Sequence, residues 1–562
     1  MKKINNLIKL MLFCGVIVFT SCETTELDLT QNPNALAPEQ ASPDFFLNGI
    51  QEDFARSVES FGRTAGALTR VDYMNGRDYT NAYSPSNFDG RWSSAYAGMF
   101  IDIKTMNTLA TTANLTHHIG MGQVMQAYTL LTLVDFFGDV PYTEAVLGAG
   151  NLNPAADTGE SVYAVAIDLL DQAIANFNST PAAEPALDLF YGGNWANWIK
   201  AANTIKMKAY LATRLVDASA VGKFNAIVNT GNYIKDNSED FQFRWGTNEV
   251  LPDTRHPRYS SSYTATGGGD YMSNSLMSYM KGGGWFGNNF DPRIMFYFHR
   301  QTNSTPGIAG APANEETLEC GLQAAPAHYA GHVFCGVSNG WWGRDHGNDN
   351  GIPPDGFLRA LAGVYPAGGK LDDWSYGGQV NGAGNGGNGI TPIMLASWSD
   401  FMQAEVALLV NADPIGAKTL MTSAMTKSIT KVTTFSPLTT RFVGVTDFNF
   451  GGLQFMIDKF KLEVGNDYDA AATNDDKANV LMQQYFVSTY GNSIDAYNAY
   501  RRTGFPNNLQ PNIEPSPGGY IRSFFYPANY ANTNSNATQK SGVDVQVFWD
   551  NNPASPAFPV AN

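Results

Sequence analysis

The stretch from Ile119 to Ala145, IGMGQVMQAYTLLTLVDFFGDVPYTEA, constrains the fold more than any other. Val124, Met125, Tyr128, Leu130, Leu131, Leu133, Val134, Phe136 and Phe137 occupy almost every side of a helical wheel. A helix apolar nearly all round is packed on several sides, so this one is expected at the centre of an all-helical body. Gln123, Gln126, Thr129, Thr132 and Asp135 break every apolar run well short of the about 18 residues a membrane span needs. Gly138 then supplies the stop, and Pro141 fixes an extended exit.

Composition narrows the class. Of 562 residues 43% are hydrophobic and 15% charged, the balance of a chain with a large core. Thirty-five Lys and Arg against 51 Asp and Glu leave a formal charge of −16, which repels phosphate backbones and argues against nucleic acid. Neutral ligands are unaffected. Residues 1–21 read as a secretory signal, with Lys2, Lys3 and Lys9 before the apolar run Leu10 to Phe19. Thr20 and Ser21 before Cys22 resemble a lipobox, in which the cysteine is lipidated; ordinary signal cleavage is the other reading. Residues 22–43 form an extended tether interrupted by Pro33, Pro38 and Pro43. Cys320 and Cys335 remain, and in an oxidising compartment they suggest a disulfide, two buried thiols being the alternative. No C-x-x-C accompanies them, so no metal site is expected there.

Residues 44–562 read as one body. Helical patterns recur at Asp44–Phe54, Trp92–Met106, Ser161–Phe177 (capped by Ser161), Asn194–Val216, Ser397–Val410 and onward. Lys200, Lys206, Lys208 and Arg214 are expected on the wetter side of the fourth. Between about 245 and 390 periodicity fades, and Gly, Pro, Asn and aromatic residues dominate. A loop region of that length inside a compact chain is usually functional.

Several segments resemble one family. The run DFFGDVPYTEA (Asp135–Ala145) is similar to a corner of the SusD/RagB nutrient-binding outer-membrane lipoproteins of Bacteroidetes. Asp291-Pro292-Arg293 before IMFYF, the run SIDAYNAYRRTGFP (Ser493–Pro506) and the tail IRSFFYPANYANTN from Ile521 extend the resemblance over most of the chain. It implies a mostly α fold, with tetratricopeptide-like helical hairpins as the scaffold and a long loop-rich, aromatic- and Gly-rich insertion. It further implies a cell-surface protein without a cofactor. Such a protein captures an oligosaccharide or polysaccharide and delivers it to a SusC-like TonB-dependent transporter. A surface glycoside hydrolase or esterase is the alternative from another class, and a peptide-binding member of the same family is the third.

Formal catalytic motifs are weak. Gly336-Val337-Ser338-Asn339-Gly340 fits G-x-S-x-G but runs into WWGRDHGND instead of a helix. Gly382–Gly387 fits G-x-G-x-x-G within an Asn/Gly run that follows no strand. His346 among Asp345, Asn348, Asp349, Asn350 and Asp355 lacks the spacing of a calcium loop. Sugar rings pair an apolar face with a rim of hydroxyls, so aromatic residues on polar loops are the better candidates. The loops 73–92, 284–290 and 328–376 supply them. In an extended loop the adjacent Trp341 and Trp342 diverge, and one is expected to face a ligand, with Asn339, Arg344 and Asp345 as hydroxyl partners. Trp285, Tyr79 and Tyr83 are further candidate platforms.

Overall fold

The computed structural model describes residues 41–265, 268–282, 290–306, 319–349, 358–438, 452–555 and 558. Cys22, Trp285, the signal and most of the tether lie outside them. Among the described residues twelve helices of eight residues or more carry the body, Pro43–Asn562. They are α1 (Pro43–Leu68), α2 (Phe100–Thr112), α3 (Thr116–Phe137), α4 (Gly159–Phe177), α5 (Trp195–Thr213) and α6 (Ala220–Thr230). Then follow α7 (Asn274–Lys281), α8 (Ala396–Glu405), α9 (Pro414–Thr433), α10 (Gly452–Ala470), α11 (Asn474–Ser488) and α12 (Ile494–Thr503). The protein is mostly helical.

Helix α3 is the central element. Nineteen of its 22 residues are buried, because α1, α2, α4 and α5 all pack on it. Two glycines permit the closest approaches: a Cβ on Gly120 would meet the Phe177 ring at 2.8 Å, and one on Gly122 the Met106 methyl at 2.9 Å. Consecutive helices lie against one another (α3 on α4, α4 on α5, α8 on α9), as hairpins require.

The corner after α3 is fastened residue by residue. Gly138 at φ +79° turns the chain out of the helix. Asp135, fully buried, accepts from Trp549 Nε1 (3.0 Å), Asn498 Nδ2 (2.6 Å) and the Tyr163 hydroxyl. Asp139 accepts from Gly159 N at 2.8 Å, closing the start of α4. Thr158, not Ser161, is the cap of that helix; Thr158 Oγ1 accepts from Ser161 N at 3.3 Å. Asp157 takes the amides of Tyr142 (2.7 Å) and Thr143 (2.9 Å), and Glu144 takes Ala155 N (3.0 Å).

Arginines hold distant segments together. Arg501 Nη1 donates to Asp135 O (2.8 Å) and Arg522 O (2.6 Å). Arg293 is bidentate to Asp291 from a fully buried position. Two side chains expected on the wet face of α5 are turned inward instead. Lys208, 4% exposed, pairs with Asp495 at 2.8 Å over the Tyr128 ring, and Arg214 pairs with Glu405 at 3.0 Å. Packing of α12 and α8 against α5 covers that face.

The loop-rich insertion enters and leaves through one ladder. Strand β1 (Phe241–Arg244) pairs antiparallel with β4 (Ile390–Met394), and Trp245 N donates to Gly389 O at 2.9 Å. Inside, β2 (Phe298–His299) pairs with β3 (Leu361–Ala362), and α7 is the longest described helix. Gly384 sits where a Cβ would strike Gly369 O at 2.0 Å, so the G-x-G-x-x-G run serves close backbone packing. Cys320 and Cys335 are joined in a disulfide with Cα atoms 5.5 Å apart.

Candidate functional site

Most of the expected site residues are structural. Trp341 and Trp342 are each 1% exposed and enter different clusters. Trp341 lies in the main core under Arg300, whose guanidinium carbon is 4.4 Å from the ring centroid and which is itself held by Asp372 at 2.8 Å. Trp342 packs on the Cys320–Cys335 bridge and Phe334. The two side chains part, yet both sides of the loop are covered by protein, so neither is a platform. Asn339 is a turn residue at φ +69°, and its carbonyl accepts from Arg300 Nη1 at 3.0 Å. Asp345, 1% exposed, accepts from Cys335 N (2.6 Å), Asn274 Nδ2 (2.9 Å) and Gln510 Nε2 (3.0 Å). Tyr79, fully buried, bonds Arg70 at 3.0 Å and His346 at 3.1 Å. His346 is held neutral, because burial and then Arg70 push its pKa well below the ordinary value.

The G-x-S-x-G run lies in a bend and a turn, with neither a strand entering it nor a helix leaving it. Ser338 Oγ accepts from Lys281 Nζ at 2.7 Å. A nucleophile elbow leads from a strand into a helix, and that geometry is not met here.

A polar, aromatic ledge forms where the chain leaving α1 meets the insertion. Tyr73 is half-buried and meets Tyr271 edge-on at 5.7 Å between centroids. Tyr271 is held in place by Arg359 and Arg344, whose guanidinium carbons lie 4.0 and 4.5 Å from its ring. Tyr73 stands beside this cluster as a half-buried aromatic ring. Its hydroxyl donates to Asn348 O and lies 3.3 Å from Asn75 Oδ1. Exposed Asn75 and the Arg77–Asp349 pair at 2.5 Å supply donors and acceptors beside it. Tyr83, half-buried, packs edge-on against Phe524 at 5.3 Å and lies close enough to Tyr73 and Arg63 to feel their charge; burial raises its hydroxyl pKa.

Beneath the ledge runs a chain of ion pairs. Arg63 reaches Asp270 at 3.0 Å, Arg258 reaches the same carboxylate at 3.5 Å and also bonds Asp72. Arg359 Nε donates to Asp270 O at 3.0 Å. Glu59 lies deeper, and burial raises its pKa despite Arg63. Of the residues singled out from sequence, Arg344 and Tyr83 reach this ledge. Tyr73, Tyr271, Arg359, Arg63 and Asp270 were missed as individuals, although Tyr73 and Arg359 fall within the loops marked as aromatic and polar.

Comparisons with known proteins agree on the architecture. Residues 33–325 match a SusD-like family described as starch-binding and associating with the outer membrane. Residues 388–547 match the family described as SusD and RagB outer membrane lipoprotein. A chitin-binding SusD homologue from Flavobacterium johnsoniae superposes with a TM-score of 0.62 at 17% identity, over 91% of this chain and 99% of that one. A SusD/RagB family protein from Bacteroides thetaiotaomicron gives 0.63 at 17%, over 91% and 100%. A SusD homologue from Bacteroides vulgatus gives 0.61 at 14%, over 90% and 97%. No curated protein sequence matches the chain. Among the described residues no helix is long and apolar enough to cross a membrane. On the family matches, which together span most of its length, the chain belongs to the SusD/RagB family of outer-membrane lipoproteins.

Proposed function

We propose that this protein binds a glycan at the cell surface and passes it to a TonB-dependent outer-membrane transporter. The observation that carries the reading is the Tyr73 ledge: a half-buried ring braced edge-on by Tyr271, with Asn75, Arg77 and Asp349 beside it for hydroxyls. The starch-binding description of the matching family and the chitin-binding title of one structural relative favour a saccharide over a peptide. The acidic surface suits a neutral polysaccharide better than an anionic one. No catalytic step is assigned, and turnover of a bound glycan by purified protein would favour the hydrolase alternative.

Anchoring would come from lipid on Cys22 after removal of residues 1–21, with residues 22–43 as the tether. Membrane fractionation checks this: Cys22→Ala should release the protein or leave its precursor uncleaved. Co-purification of a large outer-membrane β-barrel with affinity-tagged protein would support the transporter. Calorimetry with starch and chitin oligosaccharides, against peptides as controls, tests the ligand class.

A further inference from the structure

A cavity of about 180 Å³ opens where α7 and α11 meet the segment 506–510 and the turn at 331–333. Helical spacing builds two of its walls. Ser275, Ser278 and Tyr279 share one face of α7, and Gln483, Phe486 and Val487 share one face of α11. The walls are tied together. Tyr279 OH donates to Gln483 Oε1 (3.3 Å) and accepts from Gln484 Nε2 (2.9 Å). Gln483 Nε2 donates to Asn508 Oδ1 (3.0 Å), and Gln510 Nε2 donates to Val333 O (2.9 Å). The cavity therefore exists before any ligand arrives.

Its lining is apolar below and polar around the rim. Leu276, Phe486, Val487 and Leu509 supply the apolar surface. The Ser275 and Ser278 hydroxyls, the His332 ring and the Asn508 side-chain nitrogen bond nothing among the described residues. Among the described residues no carboxylate lines the cavity, which disfavours amines and metal ions. Among the described lining residues the one permanent cation is Arg70, and its guanidinium is engaged by Leu68 O (2.7 Å), Gln510 O (2.8 Å) and Tyr79 OH (3.0 Å). Burial, and then Arg70, lower the pKa of His332, so this ring is neutral near pH 7. The volume falls below the roughly 300–1,000 Å³ of pockets that take drug-sized ligands.

We propose that this cavity binds one neutral sugar ring, its C–H face on Leu276 and Phe486 and its hydroxyls on Ser275, Ser278, His332 and Asn508. The site shares no residue with the Tyr73 ledge and does not depend on the ledge being a glycan site. The same chemistry serves a free monosaccharide or the end of a chain.

The test is ligand-observed NMR on the purified protein with glucose, galactose and N-acetylglucosamine, and with glucuronate as the anionic counterpart. At least one neutral sugar should bind with millimolar affinity, and glucuronate at least tenfold more weakly. Ser278→Phe, which fills the cavity from α7, should weaken that binding at least tenfold, while Tyr73→Ala leaves it unchanged. His332→Leu, at a half-buried turn position outside the helices, should weaken it several-fold and serves if Ser278→Phe does not fold. Competition by a trisaccharide of the bound sugar marks a chain end as the source, and its absence marks the free sugar; either supports a ring pocket. Silence from all three neutral sugars, equal binding of glucuronate, or loss of binding in Tyr73→Ala with retention in Ser278→Phe overturns the proposal.

Discussion

Replacing Glu405 by alanine should be among the most damaging single changes in the helical scaffold. This carboxylate is fully buried at the end of α8 and is shared by two arginines. Arg502 of α12 approaches at 2.7 and 2.6 Å, and Arg214, just past α5, at 3.0 Å. Arg502 and Arg214 are themselves 4% and 11% exposed, so the alanine leaves two guanidiniums with little access to water. Breaking a buried pair from one side costs about 3–5 kcal/mol. Unfolding entropy of ~2.1 cal/mol/K per residue over roughly 520 residues gives about 1.1 kcal/mol/K, so Tm should fall by about 3–5 °C in a calorimetric scan. Replacing Glu405, Arg502 and Arg214 together by Leu, Met and Met should restore most of the loss, since no charge is then stranded. Burial alone would raise the pKa of Glu405, but Arg502 and then Arg214 outweigh it and hold it below the ordinary 4.5. Its stabilisation is therefore complete above about pH 4.5 and is lost as pH falls through the depressed value. The gap in Tm between wild type and Glu405→Ala should accordingly narrow in acid. A gap under 1 °C at pH 7, or one that widens in acid, would refute the reasoning.

Other expectations are simpler. Trp342→Ala should destabilise the fold by about 3–5 kcal/mol while leaving glycan affinity unchanged, which thermal melts and calorimetry on one preparation decide. Removing the Cys320–Cys335 bridge, which closes a separation of 15 residues, should cost about 3 kcal/mol in the chain-entropy model; mass spectrometry of an unreduced digest identifies the bridge, and two alkylatable thiols would contradict it. Gly120→Ala should cost about 1–3 kcal/mol because its Cβ meets the Phe177 ring at 2.8 Å, and Phe177→Leu should relieve part of that. Lys540 is pushed down to about 7, by burial first and then by Arg501. A depressed lysine leaves the unfolded chain binding more protons between that value and the ordinary 10.5, so stability should rise with pH across this window, and the rise should shrink in Lys540→Met.

The scaffold was legible because its signals are local and repeated. The wheel of α3, the Gly138 stop and the fastening residues Asp135, Asp139, Glu144, Arg293 and Arg501 each do a structural job that fixes their type and spacing. The same fact explains why the residues proposed to meet a ligand were not. Trp341 and Trp342 read as a platform because alternation sends one of them outward. Alternation does not say what stands on the outer side, and here the disulfide stands there. Tyr73 carries no distinguishing local pattern, and its role depends on Tyr271, nearly two hundred positions away, and on Arg359 beyond that. Lys208 and Arg214 were placed in water because a single helix wheel cannot show that α8 and α12 cover them.

The most direct test of the account is isothermal calorimetry of starch and chitin oligosaccharides against wild type, Tyr73→Ala and Trp342→Ala, with Tm recorded for each. The account predicts that at least one glycan binds wild type, that Tyr73→Ala weakens it about tenfold (about 1.4 kcal/mol) with Tm unchanged, and that Trp342→Ala lowers Tm and leaves affinity alone. Unchanged affinity in Tyr73→Ala, with loss of binding in a Trp342→Ala protein that melts normally, would contradict it.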